Sequence, residues 1–275
     1  MRHVTDVIFL DYKIAEAKDI QIGFAELPEA GSAAHLEIIR RWLDDCDHRA
    51  STCKRPKLGQ PTRDASAKLP KRLIDVGSYS DDTVRLWETM PQDTGEWIAL
   101  SHQWGPKRHF STKCENLKDH IAGMKFDELP DTFKDAVTVT RALGHRFLWI
   151  DSICIVQGAG GDFEHEAKRM EEYYSGACCV IAASCATDHY SGFLKTRKKR
   201  DYVALRRDME SKAPFYICQT IDNFQDHVLS GDLNRRGWVL QEHALARRTI
   251  FFTEHQTYWE CGHGVRCETM TNLSK

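Results

Sequence analysis

Apolar runs alternate with amphipathic stretches along the middle of the chain. Residues 97–100, 147–156 and 178–183 are almost continuously apolar, which is typical of strands buried on both faces. Between them, residues 132–143 and 163–177 place apolar side chains every three or four positions, which predicts helices. This order of strand, helix, strand, helix and strand predicts an α/β fold, an open sheet with a parallel core, flanking helices and right-handed crossovers.

Shorter elements flank this core. Residues 36–43 carry an apolar stripe at helical spacing, and Thr132 and Asp135 are spaced as a capping box for the helix that follows Pro130. Two hairpins are predicted, one from residues 72–87 and one from residues 248–261. Two further strands and a helix are predicted at residues 202–205, 215–219 and 235–246.

The polar stretches divide the chain into three expected regions. Residues 1–68 form a helical leader with a long polar loop, and residues 69–265 form the α/β domain. Residues 266–275 are polar and are expected to contribute no core element. A cut from a longer protein and an unstructured tail explain such an end equally well.

Composition changes this picture little but excludes some classes of function. The 275 residues carry a formal net charge of -2, so nothing in the global balance favours nucleic acid as a partner. No run reaches the roughly 20 apolar residues that a membrane span needs, and the N-terminus lacks the features of a signal peptide. The ten cysteines are spread through the chain, unlike a small disulfide scaffold. We therefore expect a cytoplasmic protein with reduced thiols.

Three ordered blocks of the sequence resemble the heterokaryon incompatibility (HET) domain of filamentous fungi. They are residues 97–105 (WIALSHQWG), residues 132–183, which contain LWIDSICIVQ, and residues 235–242 (RRGWVLQE). With its surroundings, the resemblance extends over residues 69–261. It implies a role in fungal nonself recognition that ends in programmed cell death. It also implies a distant likeness to TIR domains, which are open α/β folds.

Two kinds of mechanism follow from this resemblance. Some TIR domains hydrolyse NAD, so the chain is expected to cleave the glycosidic bond of NAD or a related nucleotide as its substrate, with no required cofactor. The alternative is a non-enzymatic module that forms homo-oligomers on activation and recruits other signalling proteins. Fold alone does not decide between them.

Three carboxylates are candidates for the chemistry. Cleavage of an N-glycosidic bond passes through an oxocarbenium-like state, which a nearby carboxylate stabilises. Asp151 interrupts an apolar run and must be paired or neutralised, whether it is structural or functional. Glu242 shares a predicted helix face with Trp238 and Leu245, so it is expected to be partly buried, facing either an arginine or a substrate sugar. Glu166 lies early in its helix, where an acid also favours the helix dipole.

Ligands of open α/β sheets bind beyond the carboxyl ends of the strands, and several polar or aromatic side chains lie there or near Glu242. Each could hold part of a dinucleotide by a hydroxyl, an amide, a guanidinium or a stacked ring. Each also has a structural alternative as a core tryptophan, a loop-binding glutamine or one half of an ion pair. The substrate-binding candidates are Ser101, Trp104, Gln157, Arg236, Trp238 and Gln241.

Two sets of cysteine and histidine have residue types that suit zinc. Neither has the CxxC spacing of a strong zinc motif, so no metal ligand is assigned and zinc is disfavoured. The two sets are Cys46, His48 and Cys53, and Cys261, His263 and Cys267.

Overall fold

The computed structural model describes residues 24–48, 68–106, 109–205, 215–234, 242–270 and 272–273. The polar loop predicted before residue 68 and most of the helix predicted at residues 235–246 lie outside the described residues. No helix of the described part is long and apolar enough to cross a bilayer.

The described residues contain both strands and helices. The strands are β1 (Arg72–Asp75), β2 (Thr83–Glu88), β3 (Trp97–Ser101), β4 (Met124–Lys125), β5 (Phe147–Trp149), β6 (Cys179–Ala182), β7 (Tyr202–Leu205), β8 (Phe215–Cys218), β9 (Thr249–Phe252), β10 (Thr257–Cys261), β11 (Gly264–Cys267) and β12 (Asn272–Leu273). The α-helices are α1 (Ala33–His48), α2 (Leu117–Ala122), α3 (Asp131–Ala142), α4 (Asp151–Cys154), α5 (Phe163–Ala167) and α6 (Met170–Gly176), with a further helical turn at residues 242–245.

Ten strands form one sheet in the order β12-β11-β10-β9-β6-β3-β5-β1-β2-β4. Its centre, β5-β3-β6-β9, is parallel, and antiparallel hairpins extend it on both sides. The predicted parallel core and both predicted hairpins are therefore confirmed. Taken in chain order, the parallel strands have the spatial order second, first, third, fourth, as in flavodoxin-like sheets.

The central strand β3 is buried along its whole length. The indole N–H of Trp97 donates to the carbonyl of Tyr173 in α6 at 3.1 Å. His102, just past the strand, contacts Phe133 of α3 edge-on, with ring centroids 5.3 Å apart. Because side chains alternate along a strand, α6 and α3 cover opposite faces of the sheet.

Helix α1 is packed against this sheet. Its stripe of Ile39, Trp42, Leu43 and Cys46 belongs to the main apolar core, and α1 contacts α3 and β10. The predicted helix is confirmed. The segment expected to be a leader thus contributes to the same core as the α/β domain.

The sequence predicted one strand over the apolar run at residues 147–156, and this prediction was wrong. The strand β5 ends at Trp149, and Asp151 begins the short helix α4, where its Oδ1 accepts the Ser152 N–H at 2.6 Å. A local acceptor of this kind offers the backbone an alternative to strand pairing. Ile153 and Cys154 are buried in the helix as they would be in a strand, so the apolar run could not distinguish the two.

The helix predicted at residues 163–177 is interrupted, because α5 and α6 meet at a turn at Lys168 and Arg169. Phe163, which the sequence placed on the buried face, is therefore 49% exposed. The capping box was also wrong. Thr132 donates to the carbonyl of Asp188, and Asp135 accepts the backbone N–H of Phe193 at 2.6 Å, so both side chains bind a distant loop.

Residues beyond 265 differ from the polar tail expected there. They complete β11 and form β12, and Cys267, Glu268 and Thr269 are buried. The Glu268 carboxylate pairs with the Arg197 guanidinium, whose second nitrogen donates to Oε1 at 3.0 Å. The imidazole of His35 in α1 lies 3.6 Å from the same carboxylate. Glu268, a polar residue of this segment, thus forms a buried ion pair with Arg197.

Among the described strands, β7 and β8 pair with each other in a second, two-stranded sheet. Val203, Leu205 and Ile217 share one face of this hairpin, because Val203 is opposite Ile217 in the register. Val203 is 59% and Ile217 64% exposed, so this face presents apolar side chains to solvent.

Replacement of Trp42 by alanine tests whether α1 belongs to the folded domain. We expect Trp42→Ala to lower the free energy of unfolding by about 3–5 kcal/mol, because it empties a buried site between α1 and the sheet. Urea unfolding followed by circular dichroism measures this change. The matched control is Arg41→Ala, an exposed neighbour expected to cost less than about 0.5 kcal/mol. Equal stability of the two variants would show that α1 does not pack as described.

Candidate functional site

A serine–glutamate pair lies at the carboxyl end of β3. The Ser101 hydroxyl donates to Glu242 Oε2 at 2.5 Å, and the two residues are only 2% and 8% exposed. Ser101 is the last residue of the central strand, while Glu242 begins the helical turn that precedes β9. The fold therefore brings together two candidates that are 141 positions apart in the chain.

The Glu242 side chain borders a surface pocket of about 480 Å³. On one side lie α5 and α6, whose Tyr174 hydroxyl donates to the carbonyl of Leu100 in β3 at 3.2 Å. The chain passes from β3 to β5 on one side and returns to β6 on the other, so this end of β3 is the switch point where open α/β sheets bind ligands. The described lining residues are Glu164, Ala167, Lys168, Met170, Glu171, Tyr174, Glu242 and Leu245.

Asp151 belongs to a different group of side chains. Its Oδ2 accepts the indole N–H of Trp104 at 2.9 Å, and its Oδ1 lies 4.0 Å from Nδ1 of His102. The carboxylate is 21% exposed. Ser101 and His102 are consecutive and point to opposite faces, so the pocket of Glu242 and the group around Asp151 are separated by β3 itself.

His109 and His189 extend this second group. The rings of His102 and His109 lie 5.0 and 5.6 Å from that of His189, with Trp104 beside them. Nδ1 of His189 accepts the Phe110 backbone N–H at 3.1 Å, which places the proton of the neutral ring on Nε2. Burial, followed by the neighbouring His102, lowers the pKa of His189 to about 4.

His109 and His189 were not among the site residues predicted from the sequence. Both lie in polar loop segments without periodicity, so no local pattern marks them. A signal emerges only in the folded chain, where His189 is fully buried and its Nε2 has no hydrogen-bond partner among the described residues.

Glu166 is placed away from the pocket. It is almost completely buried, and its two oxygens accept from the Tyr173 hydroxyl at 2.5 Å and from the His165 ring at 2.9 Å. Burial raises the pKa of Tyr173 above its usual value, and its bond to Glu166 raises it further. This carboxylate therefore connects α5 to α6.

Of the remaining binding candidates, the structure describes Gln157 but not the three that precede Glu242. The Gln157 side chain donates to the carbonyl of Ile155 at 3.1 Å, which is the loop-binding role weighed as its alternative. Arg236, Trp238 and Gln241 lie outside the described residues, although Glu242 directly follows the last of them.

The structure describes five of the six residues in the two cysteine–histidine sets. Cys261 belongs to the main core and Cys267 to a smaller core on the other face of the sheet, so one ion cannot contact both. In α1, Cys46 is buried while His48 is exposed and bonds to the carbonyl of Asp44. Cys53 lies outside the described residues.

The fold and the site define a class of protein: an open α/β domain with a pocket at its switch point that contains an acidic side chain. The sequence model of the family described as "Heterokaryon incompatibility protein (HET)" matches residues 97–242, just over half of the chain. The chain belongs to this family. Comparisons with curated proteins and with solved structures give no match.

The low pKa of His189 makes stability depend on pH. The unfolded chain takes up this proton near pH 6.5 and the folded chain only near pH 4, so the stabilisation is complete above pH 6.5 and is lost as the pH falls towards 4. We expect this histidine to lower the free energy of unfolding by about 2 kcal/mol between pH 7 and pH 5.

The variant His189→Asn keeps an acceptor for the Phe110 N–H but does not titrate in this range. Urea unfolding of parent and variant at several pH values isolates the contribution of His189, because every other group is common to both. Parallel pH profiles would contradict the neutral, buried state of this ring.

Proposed function

We propose that this chain is a cell-death effector domain of fungal nonself recognition, and that it cleaves the glycosidic bond of NAD or a related nucleotide. Membership of the heterokaryon incompatibility family supports the role. The buried carboxylate of Glu242, held by Ser101 at the edge of a pocket at the sheet's switch point, is the single observation that carries the chemistry.

The pocket suits part of a nucleotide. Its volume is within the range of about 300–1,000 Å³ that is common for small-molecule sites. Tyr174, Met170 and Leu245 offer apolar surface to a ring and a sugar, and the Lys168 ammonium can pair with a phosphate. Arg236 and Gln241 are proposed as further contacts, because they lie within the six positions that precede Glu242 in the chain.

The proposed reaction breaks the bond between the ribose C1′ and the nicotinamide nitrogen. The nicotinamide leaves with the bonding electrons as a neutral molecule, and positive charge develops on the sugar. Glu242 stabilises that charge, while Ser101 acts as a positioning residue that fixes the carboxylate. Water then attacks C1′ and loses its proton to Glu242 or to solvent.

The strand order adds an argument by analogy. The order second, first, third, fourth belongs to the same open α/β class as TIR domains, some of which hydrolyse NAD. On this proposal Asp151, Trp104 and Gln157 maintain the strand ends on the opposite side of β3. The proposed compartment is the cytoplasm, since the nine described cysteines are all free thiols and reducing conditions preserve thiols.

The variant Glu242→Gln tests the chemistry. We expect nicotinamide release from NAD, measured by liquid chromatography, to fall at least about 100-fold, because the amide cannot stabilise the sugar cation. Glu171→Gln is the matched control at the pocket rim and is expected to keep most of the activity. The thermal midpoint of each variant distinguishes a loss of chemistry from a loss of fold. No release by the parent protein, in either its monomeric or its assembled form, would refute the enzymatic proposal.

The alternative function is an oligomerising module that acts by recruiting partners. The apolar face of the β7–β8 hairpin favours it, because Val203, Leu205 and Ile217 are exposed side by side without a charge among them. A second copy of the chain is the proposed occupant, since two such faces can meet about a two-fold axis without charge repulsion.

A lysine at this face tests the alternative. We expect Ile217→Lys to shift the parent from dimer or higher oligomer to monomer in light scattering after gel filtration, because the charge cannot be buried without a partner. Met90→Lys, at an equally exposed apolar site elsewhere, is the control. A parent that stays monomeric at all concentrations, or an oligomer unaffected by Ile217→Lys, would exclude this face as the contact.

A further inference from the structure

A second group of reactive side chains lies at the opposite end of the parallel sheet. Glu96 immediately precedes β3, Cys178 immediately precedes β6, and His145 lies two positions before β5. Because the three strands are parallel neighbours, their amino ends meet, and one carboxylate oxygen, one ring nitrogen and the sulfur all lie within 4.8 Å of one another. Gly144, with a φ of 75°, ends α3 and turns the chain so that His145 reaches this position.

We propose that Glu96, His145 and Cys178 bind a divalent ion of the zinc class. Sulfur, imidazole nitrogen and carboxylate oxygen are the three donor types that zinc takes in proteins. Two ligands of a tetrahedral zinc, with bonds of about 2.3 Å to sulfur and about 2.0 Å to nitrogen, are about 3.5 Å apart. The Cys178 Sγ and His145 Nε2 atoms are 3.7 Å apart, so little movement is needed.

The surrounding charges permit this ion. Arg248 lies 3.7 Å from the Cys178 sulfur and donates to Asp47 at 2.5 Å, and Arg247 is close by. These two arginines balance Asp47 and Glu96. An ion that displaces the thiol proton therefore adds one net positive charge, which water at the exposed Glu96 screens.

Access distinguishes metal binding from nucleophilic catalysis by the same three residues. The Cys178 side chain is 5% exposed, so a substrate carbon cannot approach its sulfur without rearrangement. A small ion can enter along the exposed carboxylate of Glu96. Three protein ligands leave the fourth tetrahedral position for water or for a group from another molecule.

Titration of the chelator-treated full chain with zinc, followed by isothermal calorimetry, tests the proposal. We expect one ion per chain in the parent. Glu96→Gln, whose side chain is exposed and whose folding is expected to be intact, weakens binding at least about 10-fold, and Cys178→Ser at least about 100-fold. The control Cys114→Ser removes an exposed thiol elsewhere and leaves binding unchanged.

Cobalt provides an independent readout, because a cobalt–thiolate bond gives a charge-transfer band that Cys178→Ser should abolish. At one zinc concentration, the thermal midpoint should rise more for the parent than for the Glu96→Gln variant, and least for Cys178→Ser. Absence of binding by the parent, or equal binding by all variants, would overturn the proposal. Rapid alkylation of Cys178 at a rate that zinc does not alter would instead support a nucleophilic role. Nicotinamide release is a separate measurement, so the failure of one proposal leaves the other testable.

Discussion

The burial of β3 on both faces and at both edges is the constraint on which the rest of this structure depends. A strand enclosed in this way tolerates polar side chains only at its end, where each must find a partner. Strand alternation sends Ser101 to one face and His102 to the other. Glu242 meets Ser101 on the first face, and the group of Asp151 and His189 forms on the second. The alternation of side chains along β3 thus produces two polar groups on opposite faces of the sheet. The pocket lies at the group that contains Ser101 and Glu242.

Much of the fold could be predicted because apolar periodicity records burial directly. The stripe containing Ile39 and Trp42, the runs that became β3 and β6, and both hairpins were all visible in the sequence. The errors had two different causes. Asp135 binds the backbone of Phe193, 58 positions away, instead of capping α3, and no local pattern reveals that contact. Asp151 accepts the N–H of its neighbour Ser152 and begins α4, a local choice that an apolar run shared by helix and strand does not decide.

The sequence could predict individual residues of the candidate site, but not how they are arranged in space. Ser101 was identified at the end of an apolar strand, and Glu242 was identified on a predicted helix face with Trp238 and Leu245. Their contact requires knowledge that the turn before β9 reaches the end of β3. Glu166 was placed in the same role because helix position alone cannot show that Tyr173 occupies its carboxylate. Likewise, His145 and Cys178 precede different strands, and only the strand order makes them neighbours.

The buried pair of Arg197 and Glu268 has a consequence for where this folding unit ends. Polarity places the edge of the unit at residue 265, yet Glu268 neutralises a guanidinium that is itself only 9% exposed and lies near His35 of α1. A shortened chain without the carboxylate would retain an enclosed cation with no counter-ion, a loss that typically costs about 3–5 kcal/mol. The segments that contain His35, Arg197 and Glu268 lie before, within and after the parallel core in the sequence, and they depend on one another for stability. The polar residues after position 265 are therefore part of the folded unit.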